Sequence, residues 1–199
     1  MPIFMRIAVW SWLFGLAIPA PLACAQNRTT DFVLTGRAVT GTDSRDVRAT
    51  FTCSGNQGPD LTGVLSIVLE VPDVATLKPV FDFEPFEGPD AHAGARSHVA
   101  ARANGALAQA DFTASGSIPA EPDTSFDLEV TAARRGEPRQ LAALARVLRP
   151  LTTGPGMLEW RQGNARRNEA PIVATFHLTA ADAASLSVRL DSCLDQPAR

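Results

Sequence analysis

The sequence contains no tyrosine and a single lysine, Lys78. Two of its three tryptophans, Trp10 and Trp12, lie in the first apolar run, which leaves Trp160 alone for the rest of the chain. Carbohydrate-binding faces and protein hot spots lean on Trp and Tyr, so an aromatic sugar platform is disfavoured. The formal charge is −3, or −4 once Arg6 is set aside. That is not the composition of a polybasic nucleic-acid binder. No G-x-S-x-G, phosphate loop or dinucleotide fingerprint is present. "GTDS" (41–44) matches an aspartic-protease loop only in its letters, and no partner loop accompanies it. No cofactor is implied.

Cysteine is also scarce, and its placement is informative. The chain opens "MPIFMRIAVWSWLFGLAIPAPLACAQ", where Arg6 is the only charge before Arg28. A basic start, an apolar middle and the small-residue pattern Ala23-Cys24-Ala25 spell a secretory signal. Pro19 and Pro21 break the run, and about 20 clean apolar residues are needed to span a bilayer. Residues 1–25 therefore read as a signal peptide, and residues 26–199 as one exported domain without a transmembrane segment. Lipoprotein processing at Cys24 is the weaker reading, because Pro21 stands where such a site wants Leu. Cleavage after Ala25 removes Cys24 and leaves Cys53 and Cys193. In an oxidising compartment two cysteines pair. Abundant arginine and alanine point to a bacterial source, which makes the compartment the periplasm or the outside.

What is abundant is alternation at period two. Val47, Ala49, Phe51 and Cys53 share one face; Leu65, Ile67, Leu69 and Val71 share another. Phe126, Leu128 and Val130 oppose Asp127, Glu129 and Thr131, and Ile172, Ala174, Phe176 and Leu178 oppose Val173, Thr175 and His177. Such segments are half-buried antiparallel strands. "ANGA", with Asn104-Gly105, is a hairpin signal. Past Leu178 the period changes. Thr179 with Asp182 resembles a capping box, and Leu186, Leu190, Cys193 and Leu194 then fall on one helical face. The expected fold is mainly β: an antiparallel, sandwich-like domain with a short helix after residue 71 and a C-terminal helix over 180–194. The alternative is an α+β arrangement of two strand–strand–helix units, suggested by the echo of "LEVPDVATL" (69–77) in "LTAADAASL" (178–186).

One stretch invites a chemical reading: "PVFDFEPFEGPDAHAGARSH" (79–98). Phe81 and Phe83 face one way in an extended chain and Asp82 and Glu84 the other. The bland reading is a surface loop anchored by its phenylalanines. The sharper one is a ligand or metal loop built from Asp82, Glu84, Glu87, Asp90, His92 and His98. The EF-hand spacing is not met, because Phe86 stands where the third ligand belongs, and His92 and His98 are too far apart for a helical metal pair.

Two basic clusters remain, "AARRGEPR" and "GNARRN". They place Arg134, Arg135 and Arg139, and Arg166 and Arg167, on hairpin tips, which would form a docking patch if the tips share one end. The functional expectation is a non-enzymatic exported binding or envelope-support module with a protein or small-molecule partner. An extracytoplasmic hydrolase using acids of the 81–90 loop is the alternative, and a divalent-metal binder the third reading. Intact-mass measurement of the native protein should give a chain starting at Gln26; a diacylglyceryl-modified Cys24 at the terminus would overturn the processing site.

Overall fold

The computed structural model describes residues 30–54, 63–86, 96–117, 124–166 and 168–194. The expected signal segment, 1–25, lies outside them. Nine strands form a single curled sheet: β1 (Thr30–Thr40), β2 (Asp43–Ser54), β3 (Val64–Pro72), β4 (Arg96–Ala103), β5 (Ala106–Thr113), β6 (Ser115–Ser117), β7 (Ser125–Ala133), β8 (Gly156–Gln162) and β9 (Ile172–Leu178). Three helices accompany it: α1 (Val74–Leu77), α2 (Pro138–Leu148) and α3 (Ala180–Leu194). The fold is mainly antiparallel β with a short helix after residue 71 and a C-terminal helix, as the alternation implied. The sandwich-like layering takes the form of one sheet wrapped on itself.

The strand order is β5-β4-β8-β9-β1-β2-β3-β7-β6. Its two outer members are consecutive in the chain, separated only by the buried Ala114. One bent strand, residues 106–117, thus pairs with β4 along its first part and with β7 along its last. With β5 and β6 counted as one, the sheet closes into an eight-membered ring. An eight-stranded barrel is just wide enough for side chains to fill, and here they do. Phe51, Ile67, Leu128, Val130, Trp160 and Phe176 are all fully buried on the inner face. Gly36 is the close-approach point in this packing: a Cβ there would lie 2.4 Å from the ring of Phe176.

The closure is incomplete, and α2 fills the remainder. β6 reaches only as far as Glu129 along β7, so the rest of β7 and the whole free edge of β5 face each other across a gap. α2 packs against both strands. Its Leu141, Leu144, Val147 and Leu148 are buried, at helical spacing. Its polar side chains serve the open edges: Gln140 Nε2 donates to the Thr131 carbonyl of β7 at 2.8 Å, and Arg146 Nη2 to the Gln109 carbonyl of β5 at 3.4 Å. An unpaired edge is a template for unwanted pairing, and a covering helix is one natural remedy. The "RRGEP" turn therefore leads into a helix and is not a hairpin tip. Pro138 begins that helix, where a missing N–H costs nothing.

Both ends of the barrel are plugged. The register brings Thr30, Cys53, Val64, Ala133, Leu178 and Gly156 to one end. α3 crosses it, held by the Cys53–Cys193 disulfide, with Cα atoms 6.0 Å apart, and by Arg189 Nη1, which donates to the Asp31 carbonyl at 2.8 Å. The N-terminus of α3 carries the expected reciprocal cap. Thr179 N–H donates to Asp182 Oδ2 at 2.8 Å, and Asp182 N–H to Thr179 Oγ1 at 3.2 Å. The supposed repeat partner Asp73 instead precedes α1 in a left-handed conformation, with no side-chain cap. The echoed residues thus hold different structural positions.

The opposite end is closed by α1 and the segment after it. Phe81, Phe83 and Phe86 are buried, with ring centroids 4.8 Å apart for Phe81–Phe83 and 4.7 Å for Phe83–Phe126. Burying each ring is worth about 1.5–3 kcal/mol. Asn164, from the β8–β9 connection, ties the backbone down: its Nδ2 donates to the Val80 carbonyl at 2.9 Å and its Oδ1 accepts from Asp82 N–H at 3.4 Å. Gly116 faces the same plug. A Cβ there would sit 2.3 Å from the Phe126 ring and 2.7 Å from Phe86 Cβ.

The disulfide spans a sequence separation of 140 residues, so in the chain-entropy picture it contributes at most about 5 kcal/mol. Cys53 and Cys193 are 2% and 3% exposed, which shields the bond from reductant while the protein is folded. A non-reducing peptide map should link the two cysteine peptides, and denaturant unfolding with reductant should show a loss of about 2–5 kcal/mol. Two free, alkylatable thiols in protein taken from its native compartment would overturn the staple.

Candidate binding surface

Because the inner face is packed with side chains, the depressions that stand out lie on the outer face. The larger, about 870 Å³, opens across β9, β1, β2 and β3 and is lined by Thr35, Arg37, Asp46, Arg48, Glu70 and His177 among others. Its position follows from the sheet. The β1–β9 ladder runs only from Val39↔Val173 to Arg37↔Thr175. Beyond it the Phe176 ring packs against Gly36 and the ladder stops. The depression lies over the end of that ladder.

Its chemistry comes from one transverse row of outward side chains. The register sets Thr35 against Arg48, Arg48 against Glu70, and Glu70 against Asp127. Arg48 forks onto Glu70: Nε donates to Oε2 at 3.0 Å and Nη2 to Oε1 at 2.7 Å. This charge-assisted fork holds the guanidinium pKa above its ordinary value, chiefly through the hydrogen bond and then through the Glu70 charge. Asp127 stands at the other side of Glu70. Partial burial, then the charges of Glu70 and Glu129, push its carboxyl above the usual range, while Arg48 pulls it back less strongly. On the rim, Arg37 Nε donates to Ser44 Oγ at 2.7 Å and Nη1 lies 3.6 Å from Asp46. The row offers exchangeable forks and carboxylates on an open floor, which is binding chemistry: ion pairs and hydrogen bonds to a charged guest.

A second depression, about 450 Å³, lies between β5 and the start of α2, lined by Asp111, Thr113, Glu137, Arg139 and Gln140 among others. Beside it His98 Nδ1 meets Asp111 Oδ1 at 2.7 Å across the β4–β5 pair.

The residues singled out in the sequence are dispersed. Asp82 Oδ1 accepts from Glu84 N–H at 3.2 Å, a local turn, and Glu84 is exposed. His98 lies on β4, paired with Asp111. Glu87, Asp90 and His92 lie outside the described residues. Among the described residues no three His, Cys, Asp or Glu side chains gather as a metal site. Arg134 and Arg135 sit in the turn after β7 and Arg139 in the first turn of α2. Arg166 lies after β8, at the other end of the barrel, where its Nη1 donates to the Pro79 carbonyl at 3.0 Å and lies 3.6 Å from Glu169. Arg167 lies outside the described residues. The two arginine-bearing turns therefore occupy opposite ends. Sequence reasoning passed over the Arg48–Glu70–Asp127 row; the only available signal was charge at outward positions of alternating strands, which most exposed strands share.

Compared with known proteins, the chain matches no family model, no curated protein and no solved structure.

The Asp127 environment has a testable sign. A carboxyl whose folded pKa is raised favours the folded state when protonated. That contribution is fully present below the unfolded aspartate value of about 3.9 and is lost as pH rises through the folded value. Asp127→Asn should accordingly raise Tm at neutral pH, and the gain should shrink as pH falls to about 3. Thermal unfolding of both proteins at the two pH values checks this; a lower Tm for the variant at neutral pH would refute it.

Proposed function

We propose that this chain is an exported, disulfide-stapled binding module that engages a charged partner through the outer face of its barrel, at the depression over β9, β1, β2 and β3. The observation that carries the reading is the Arg48–Glu70 fork with Asp127 beside it, set on the outside of a barrel whose interior is already filled. Export is supported by the N-terminal signal pattern and by the buried cysteine pair, a bond suited to an oxidising compartment. A binding role rather than catalysis is supported by the kind of chemistry the row presents. Fork and carboxylates can trade partners with an incoming guanidinium, ammonium or carboxylate, and an exposed fork that forms in the free protein costs little to break. The partner is a protein segment or a small molecule with complementary charge. No helix among the described residues is long and apolar enough to cross a membrane.

The reading is tested with a photo-crosslinking residue placed in the living cell at Thr175, beside the depression, and in a separate strain at Gln109, on the other side of the barrel. A discrete adduct from position 175 that is lost in the Arg48→Ala/Glu70→Ala background, and that same adduct not forming from position 109, is the expected outcome. The same adducts from both positions, or adducts indifferent to the double substitution, would sink it. Fractionation of the same strains reports the compartment.

A further inference from the structure

Among the described side chains the arginines of the strands and of α2 divide by side, whereas Arg189 of α3, which donates to the Asp31 carbonyl of β1, has no carboxylate within ion-pair distance. Arg37, Arg45, Arg48 and Arg166 each have a carboxylate within ion-pair distance, and the first three lie on β1 and β2. Arg102, Arg134, Arg139, Arg146 and Arg161 have none among the described residues. These five lie on one continuous side. Arg161 is on β8, Arg102 on the adjacent β4, and Arg139 and Arg146 on α2, which covers the free edge of β5; Arg134 stands in the turn before α2. Four of the five are exposed and Arg134 is half-buried. Among the described residues the carboxylates on this side are Glu137, Glu159 and Asp111, the last paired with His98. On the far side, over β1, β2, β3 and β7, Asp31, Asp46, Glu70, Asp127 and Glu129 outnumber the arginines. A chain of net negative charge thus carries a concentrated positive side, and its acidic side faces away.

From this division we infer that the β8–β4–β5–α2 side is a docking surface for an anionic lipid bilayer. The apolar content of this side decides between a bilayer and an acidic protein. Specific protein interfaces need a buried apolar or aromatic centre. Here the leucines of α2 point into the barrel, the exposed positions of α2 are proline, arginine and alanine, and the one large exposed apolar side chain among the described residues of this side is Leu107, 53% exposed and cross-strand from Arg102. That is too little for a protein hot spot. It suits adsorption at headgroup level, where guanidinium forks meet phosphates and a single leucine dips between them. Each basic residue held near such a surface strengthens binding roughly fivefold, and a one-sided charge distribution orients the molecule as it approaches. The surface is distinct from the depression over β9, β1, β2 and β3, so either reading can fail alone.

The experiment is co-sedimentation of the disulfide-intact protein with vesicles of phosphatidylglycerol mixed with phosphatidylcholine, against vesicles of phosphatidylcholine alone. Binding is expected to the anionic vesicles only. It should be lost at about 1 M salt, where the screening length falls to about 3 Å. Arg102→Gln/Arg161→Gln on the strands should weaken it by roughly twentyfold or more at unchanged Tm, and Arg139→Gln/Arg146→Gln on the helix by a similar factor, with Tm followed because Arg146 also donates to the Gln109 carbonyl. The strand pair keeps the test decisive if the helix pair lowers Tm. Equal retention on both vesicle types, no retention on the anionic ones, or full retention by both double variants would overturn the proposal. So would competition-sensitive binding to soluble polyglutamate with none to vesicles, which would assign the side to an acidic polypeptide.

Discussion

Everything in this fold depends on one strand serving two neighbours. Residues 106–117 pair with β4 before Ala114 and with β7 after it. Were the strand straight, the sheet would end in two long edges with their amides and carbonyls unpaired. Because it bends, the sheet closes, and closure fixes what every other element must do. The interior becomes a sealed volume that has to be filled at crystal-like density, so the inward positions of the long strands are mostly apolar, and the buried polar pair among them, Ser97 and Gln162, is hydrogen-bonded to itself. The part of the seam that β6 cannot reach needs a cover, and α2 supplies it with a leucine face for the core and a glutamine and an arginine for the edges. The two ends need lids, and these are the phenylalanine cluster and α3.

The lids are secured differently, and the difference follows from their residues. The Phe81–Phe83–Phe86 plug brings three rings of its own and is held by side-chain-to-backbone bonds from Asn164 and Arg166. α3 brings Leu186, Leu190 and Leu194 to the core but presents Val188, 82% exposed, and a largely polar outer face. A single amphipathic helix at the end of a chain is marginal on its own. Its capping box orders the first turn and its disulfide the last, so the helix is constrained at both termini. The cap has a charge dependence: hydrogen bonds from Thr179 hold the Asp182 carboxyl below its usual pKa, so this contribution is present above the unfolded value and fades as pH falls through the folded one.

How much of this was legible in the sequence follows the range of each interaction. Strands β2, β3, β7 and β9 announce themselves because one face is core and the other water. The Asn104-Gly105 turn is equally local: both residues take positive φ, as a two-residue hairpin requires. Two isolated cysteines and an export signal leave little choice of pairing, and helix α3 carries both its cap and its 3.6-residue period. Helix α2 was there to be read, in Pro138 followed by Leu141, Leu144, Val147 and Leu148, but the preceding "RRGEP" looks like an ordinary turn between strands. Closure itself was not legible. Nothing local distinguishes Ala114 as a bend within one strand from a turn between two, and the pairing of β6 with β7 depends on register set far away. The same holds for the surface sites. Arg48, Glu70 and Asp127 come from three separate segments, and only the register makes them neighbours.

That row also bears on why the proposed binding surface lies on the outside. A sheet stabilised only for its own sake would place opposite charges across from one another, since like charges directly opposite are unfavourable. Glu70 and Asp127 are directly opposite, with Glu129 two residues on, and a single guanidinium serves the first of them. Asp127 is further disfavoured by its partial burial. An asparagine or threonine there would fill the same outward position on β7 without that penalty. Perturbed carboxyls arise in structural networks as well as in functional sites, but among the described residues this one accepts no hydrogen bond that the fold depends on. It is an unfavourable residue retained on a face where closure demands nothing, next to Glu70, which lines the depression over β9, β1, β2 and β3. A stability cost without a structural return is what the proposed binding role would account for.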